Sequence, residues 1–271
     1  MSQEYHRPKR RAGPHTSWEP VARWYDGWVG KKGSKYHRKI VIPAVLELAS
    51  LAPGTKVLEV GSGQGVLTPH IARIGAQYTG VDVSQELIRL ARKRHGHQGR
   101  FLLCDARRLF ECPQLQPKEF DVVIFMLSIQ DMEPLQAVIQ SANRVLKPRG
   151  CFILVMVHPC FRVPRQSGWG WDSRRKIQYR RVDRYLTPLA VPMQPYSGGT
   201  TRSFHRPLSE YVNCLAESGL VVNCMKEIPT YEVVTAGKHT RAENRAHQQI
   251  PLFLSLRAMK VGDISESELS S

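Results

Sequence analysis

Apolar residues along this chain fall into short continuous runs, separated by stretches whose apolar positions recur at helical spacing. The runs "KVLEV" (56–60), "QYTGVDV" (77–83), "RFLLCDA" (100–106), "FDVVIFM" (120–126) and "CFILVMV" (151–157) read as strands. Between them, "GVLTPHIARIG" (65–75), "SQELIRLARKRH" (84–95) and "EPLQAVIQSANRVL" (133–146) read as helices; Ser84 is placed to cap the second, and "KPRG" to stop the third. A further helix is predicted ahead of the first strand, from His37 to Leu51, on the spacing of Ile40, Val41, Val45, Leu46 and Leu48. Strands that alternate with helices and are apolar throughout their length predict an open parallel α/β sheet, buried on both faces.

The rhythm breaks at residues 158–206, rich in Pro, Gly, Trp and Arg, which read as an insertion. It resumes with a helix over 207–219 and strands over 220–228 and 250–259. Residues 1–20 read as a disordered basic arm, 21–50 as an aromatic N-terminal cap, and 261–271 as a disordered acidic tail. That leaves one domain over 21–260.

Charge sharpens this division. The chain of 271 residues carries a formal +16. Residues 1–40 hold ten Lys/Arg against three Asp/Glu and residues 158–206 ten against two, whereas 41–157 is nearly balanced. Two segments thus carry almost all the excess, and both would attract anions. No apolar run approaches a membrane span, and the first residues show neither a secretory nor a transit pattern. The six cysteines form no CxxC pair, so neither a metal site nor a redox pair is expected, and their scatter suggests a reducing compartment. The expectation is a soluble cytoplasmic protein.

The stretch "VLEVGSGQG" (57–65) puts three glycines in five positions directly after the first strand. Such a turn lets a ligand lie against the backbone at the carboxyl edge of the sheet. The dinucleotide fingerprint fails, because its third glycine would fall on Val66. Acidic residues close the next two strands: Asp82, where a carboxylate can accept ribose hydroxyl protons, and Asp105, where one can take an adenine amino group. Taken with "VDVSQELI", "CDARRL", "FDVVIFMLSIQDM" and "LKPRG" in this order, the chain resembles the class I S-adenosylmethionine-dependent methyltransferases, in their small-molecule branch. The resemblance implies a Rossmann-like seven-stranded sheet and S-adenosyl-L-methionine as cofactor. It places Gly61, Gly63 and Gly65 at the methionine part, Asp82 at the ribose, Asp105 with Ala106 at the adenine and Met126 near the sulfonium, with Glu59 supporting the loop or the amino group; Ser62, Val83 and Leu127 complete the cofactor-binding set.

Two histidines are candidate bases for an acceptor that must lose a proton: His158, directly after the fifth strand, and His205 in "FHRPLSEY". Helix capping or a backbone hydrogen bond would explain His205 equally well. Cys160 is read as a small buried side chain, since the proline-cysteine partner of cytosine-C5 methylases is absent from "MLSIQ". The acceptor pocket would draw on Tyr25, Tyr36, Gln130, Arg162 and Trp169, from the cap, the fourth motif and the insertion. Basic and aromatic together, these suit a planar anionic small molecule, which is the favoured acceptor. RNA tracked along the basic segments is the alternative, and a cofactor-binding protein without turnover a second one.

Overall fold

The computed structural model describes residues 18–193 and 199–261. Most of the expected N-terminal arm and all but one residue of the expected tail lie outside them. Residues 18–20, assigned to the arm on sequence, belong to the body: Glu19–Val21 form a 3-10 turn and Val21 is buried. The turn leads into helix α1 (Ala22–Val29) and, through a π-helical turn at His37–Val41, into α2 (Ile42–Ala49).

The first βα units match the sequence reading closely. Strands β1 (Lys56–Val60), β2 (Gln77–Asp82), β3 (Gly99–Leu103) and β4 (Phe120–Met126) alternate with α3 (Thr68–Arg73), α4 (Gln85–His95) and α5 (Leu135–Val145), and α5 runs into β5 (Leu146–Val157). α3 starts three residues later than predicted, because Gly65 sits at φ +79° and the chain turns there before coiling. β5 begins at Leu146 rather than Cys151; Leu146 pairs with Phe120 ahead of an irregularity in the ladder.

The insertion is two antiparallel hairpins, β6 (Ser167–Asp172) with β7 (Ile177–Val182) and β8 (Leu189–Met193) with β9 (Thr201–His205). Helix α6 (Leu208–Glu217), β10 (Leu220–Ile228), α7 (Thr240–Gln249) and β11 (Phe253–Lys260) complete the fold.

The main sheet has the order β10-β11-β5-β4-β1-β2-β3. β11 alone runs against its neighbours. Leu58, Val60, Phe125 and Leu154 pack on one face against Ile139 and Ala142 of α5 and Leu215 of α6. Val57, Ile124 and Ile153 pack on the other against Val45 and Leu48 of α2, Ile71 of α3 and Ile88 of α4. Both faces are covered, which is why the strands read as continuous apolar runs. Helix α7 had no sequence signal: Ala246 is its one buried residue, and it packs on the β6–β7 hairpin through surface contacts such as His247 against Trp169 of β6.

One pairing departs from the reading of the cysteines. Cys104 and Cys112, eight residues apart, are joined in a disulfide, because the chain turns back after β3 through a short 3-10 segment (Ala106–Glu111) and returns the second sulfur to the first.

Candidate active site

A cavity of about 500 Å³ opens at the carboxyl edge of β1, β2, β3 and β4. At one end lie Gly61 and Gly63. Both have positive φ, and Gly61 carries the tighter constraint: a Cβ there would stand 2.5 Å from Cβ of Ser128. Gly65 serves packing instead. It does not line the cavity, and a Cβ on it would meet the Phe101 ring at 2.9 Å.

Asp82 ends β2 and fixes the loop. Its Oδ2 accepts from the Gly63 N–H at 2.9 Å and its Oδ1 from the Ser84 N–H at 2.8 Å. Burial raises its pKa, and these backbone donors offset part of the rise. Each carboxylate oxygen has two acceptor directions, so ribose hydroxyls can share it with the backbone. Asp105 also lines the cavity, where Arg107 grips it through Nε and Nη2. Burial pushes the Asp105 pKa up, but the Arg107 guanidinium and N–H outweigh it and hold the carboxyl below its ordinary value.

Glu59 lies behind the loop. It is 1 % exposed and does not reach the cavity wall. It accepts a short hydrogen bond from the Tyr78 hydroxyl. Burial raises its pKa to about 8, against the lowering effect of that bond. Ser62 is likewise buried outside the wall.

Beyond Met126 the backbone turns sharply: Leu127 adopts φ 56°, a left-handed conformation costly for a leucine. The turn is held by the Leu127 N–H on Val155 O at 2.7 Å and by the Ser128 hydroxyl on Val60 O at 2.6 Å. It delivers the 3-10 segment Ile129–Asp131, with Gln130 and Asp131, into the cavity.

The N-terminal cap closes the end of the cavity that holds the glycine loop. Trp18, Trp24, Tyr25 and Trp28 line the cavity, and Tyr25 lies over Gly63. Burial, with the charges of Asp82, Asp131 and Glu59, raises the Tyr25 pKa, so its hydroxyl stays protonated. Two latches tie the cap to α4. Glu19 accepts from the Ser84 hydroxyl at 2.5 Å, and Asp26 takes both terminal nitrogens of Arg94 at 2.5 and 2.8 Å.

The other end is built by the insertion, through Pro159, Arg162, Met193, Arg202, Phe204 and His205. Arg162 stacks on Trp169, its ring centroid 5.6 Å away, and Arg180 approaches the same ring at 5.3 Å. Burial and the charge of Arg180 lower the Arg162 pKa to about 10. Its Nε is buried without a hydrogen-bond partner among the described residues.

Of the residues expected from sequence, Tyr25, Gly61, Gly63, Asp82, Val83, Asp105, Ala106, Met126, Leu127, Gln130, Arg162 and His205 meet at this one cavity. Tyr36, Trp169 and His158 do not line it. Tyr36 packs edge-on against Phe253, and Trp169 supports Arg162 from behind. His158 is 1 % exposed, with Nε2 on Glu227 at 2.9 Å and Nδ1 accepting from the Cys160 N–H at 3.2 Å; both ring nitrogens are engaged, which removes it as a base. His205 faces the cavity and donates from Nε2 to Tyr185 O at 2.7 Å, which leaves Nδ1 as the acceptor nitrogen. Asp131 and Ser203 were missed on sequence, because neither stands in a pattern that marks it out.

The glycine loop, the acidic strand ends and the left-handed turn after β4 meet at one edge of the sheet. Residues 58–154 match the family described as a methyltransferase domain. S-adenosylmethionine fits the residues present: a side-chain-free floor at Gly61 and Gly63, a carboxylate at the end of β2 and another at the end of β3.

The chain is similar to a ubiquinone biosynthesis O-methyltransferase of Xanthomonas campestris pv. campestris, 30% identical over 132 residues, 49% of this chain and 55% of that one. It is similar also to a demethylmenaquinone methyltransferase of Tropheryma whipplei, 31% identical over 111 residues, 41% of this chain and 45% of that one. The chain thus spans about half the length of these curated relatives. The fold is shared with an S-adenosylmethionine-dependent methyltransferase from Mesorhizobium loti, with a TM-score of 0.66 at 21% identity, covering 85% of this chain and 100% of that one. No helix among the described residues is long and apolar enough to cross a membrane.

Proposed function

We propose that the protein transfers a methyl group from S-adenosylmethionine to a small, planar, anionic acceptor. The observation that carries this reading is the continuity of the cavity, from Asp82, Asp105 and the glycine loop at one end to Arg162, Arg202 and Phe204 at the other. Its volume of about 500 Å³ lies within the range of small-molecule sites.

The cofactor, when bound, supplies a methyl group on a positively charged sulfur. The chain's own residues do the rest. Asp82 and Asp105 fix the nucleoside, and Tyr25 with the tryptophans of the cap excludes water. Phe204 and Pro159 offer flat apolar walls to the acceptor. The half-buried Arg162 lines the cavity with its Nε lacking a partner among the described residues, and a guanidinium so placed favours an acidic acceptor. The two curated relatives, one named as a ubiquinone biosynthesis O-methyltransferase and the other as a demethylmenaquinone methyltransferase, support a quinone-like ring bearing oxygens.

The test is transfer of a labelled methyl into separated metabolite, RNA and protein pools of a cell extract, run beside calorimetry with S-adenosylhomocysteine. Label confined to the metabolite pool, lost in Arg162→Ala, is the expected result. Label in RNA would make the basic segments a nucleic-acid track and overturn the small-molecule reading. Cofactor binding with no labelled product would leave a binding protein without turnover.

A further inference from the structure

Three segments distant in sequence converge on one carboxylate where the two ends of the cavity meet. Asp131 ends the 3-10 turn that comes after β4. It accepts hydrogen bonds from the Ser203 hydroxyl on β9 and from the Trp18 indole of the N-terminal cap. All three residues line the cavity.

We propose that Asp131 is the general base of the transfer, taking the proton of an acceptor hydroxyl; the inference rests on the methyltransferase reading above. Its two donors hold the carboxylate in place, and carboxylate oxygens have enough acceptor directions to receive a substrate hydroxyl as well.

The charged and titratable groups around it leave it able to act. Arg206, from the segment after β9, faces it, but that guanidinium is shared with the Glu133 carboxylate and the Met132 carbonyl. Tyr25 from α1 and Tyr211 from α6 face it as neutral phenols, both held above their ordinary pKa by burial first. His205 lies on the same buried face of β9 as Ser203 and engages Tyr185. Burial raises the Asp131 pKa to about 7, against the lowering effects of Ser203, Trp18 and Arg206. A base in that range can both receive and release a proton near neutrality.

The step balances. The acceptor oxygen forms its bond to the methyl carbon while its proton passes to the Asp131 carboxylate. The carbon–sulfur bond breaks with its electron pair left on sulfur. A carboxylate and a sulfonium become a carboxylic acid and a thioether, so opposite charges disappear together and none is created. A hydroxyl is therefore the acceptor atom this site suits. A histidine base would instead end the step as a cation.

The experiment compares wild type with the isosteric Asp131→Asn by three readings. In calorimetry with S-adenosylhomocysteine, the affinity of the variant should stay within about threefold of wild type, which separates the base role from cofactor binding. Intrinsic tryptophan fluorescence should show a transition near pH 7 in wild type, reported by Trp18, that is absent from the variant. Transfer into the metabolite fraction labelled by wild type should rise with pH through about 7 and fall by roughly 100-fold or more in the variant, the span typical of a lost general base. Ser203→Ala, which removes a donor to the ionised form, should move the transfer midpoint to higher pH.

A tenfold loss of S-adenosylhomocysteine affinity in Asp131→Asn would make the residue a cofactor ligand and overturn the proposal. So would an unchanged rate and pH profile, or a fluorescence transition that persists. If wild type itself labels no metabolite, the methyltransferase reading fails and the base role with it, an outcome distinct from a variant that retains transfer.

Discussion

Glu59 should make the ligand-free protein lose stability as pH rises through neutrality. The carboxyl is 1 % exposed and its pKa is raised from 4.5 to about 8 by burial, so it is folded in its neutral form. The unfolded chain gives up this proton near pH 4.5, whereas the folded chain keeps it until about 8. Between those values the folded state binds more protons, and stability falls with pH at up to about 1.4 kcal/mol per unit. From about pH 5.5 to about 7.5 that amounts to roughly 3 kcal/mol, or some 5 to 10 °C in melting temperature for a chain of this size. Asp131 and Asp82, whose pKa values are also raised by burial, add slopes of the same sign.

The perturbation that isolates Glu59 is Glu59→Gln, which keeps an oxygen to accept from Tyr78 and cannot ionise. Melting curves of both proteins by differential scanning fluorimetry, across pH 5 to 9, give the contribution as the difference between two slopes. The variant should pass from parity near pH 5 to clear advantage near pH 8. Parallel curves across that range would show that Glu59 does not titrate there and would refute the argument from burial.

The same geometry sets other outcomes. Asp82→Ala should weaken S-adenosylhomocysteine binding at least tenfold in calorimetry, since it removes both the ribose acceptor and the hydrogen bond that holds Gly63; unchanged affinity would mean the ribose lies elsewhere. Gly61→Ala places a methyl 2.5 Å from Ser128 on backbone at φ +74°, and should abolish measurable cofactor binding while lowering the melting temperature. Arg94→Ala breaks the bidentate latch to Asp26 and should speed S-adenosylhomocysteine release in stopped-flow and expose residues 18–30 to limited proteolysis. Release and cleavage rates equal to wild type would show that the cap is held by its aromatic contacts alone.

The half of the cavity around the glycine loop was legible in the sequence because its parts are local. A glycine loop comes directly after its strand, and Asp82 and Asp105 close strands whose apolar runs fix their position in the sheet. The acceptor half was far less so. In the β6–β7 hairpin β6 alternates Trp with Gly and is half-buried throughout, while β7 reads Ile-Gln-Tyr-Arg-Arg-Val with Tyr179 and Arg181 exposed, so neither shows an apolar run or an apolar–polar alternation, and the hairpin gave no strand signal. His158 stands after its strand as a ligand-facing residue would, yet its ring turns toward Glu227 on β10, a contact no local spacing announces. Asp131 needed Trp18 and Ser203 beside it before its chemistry could be read, and only the closed fold brings those together.

Strand β11 has a consequence for how the molecule comes into being. It joins β5 to β10 from the centre of that half of the sheet, through a ladder with each. A nascent chain can therefore set β1 to β5 side by side while β10 has no neighbour to dock upon, and β5 stands as a raw border until residue 260 has left the ribosome. The strands that carry the glycine loop, Asp82 and Asp105 can be in place early in synthesis; the outer border of the sheet waits for the final strand to be slotted in.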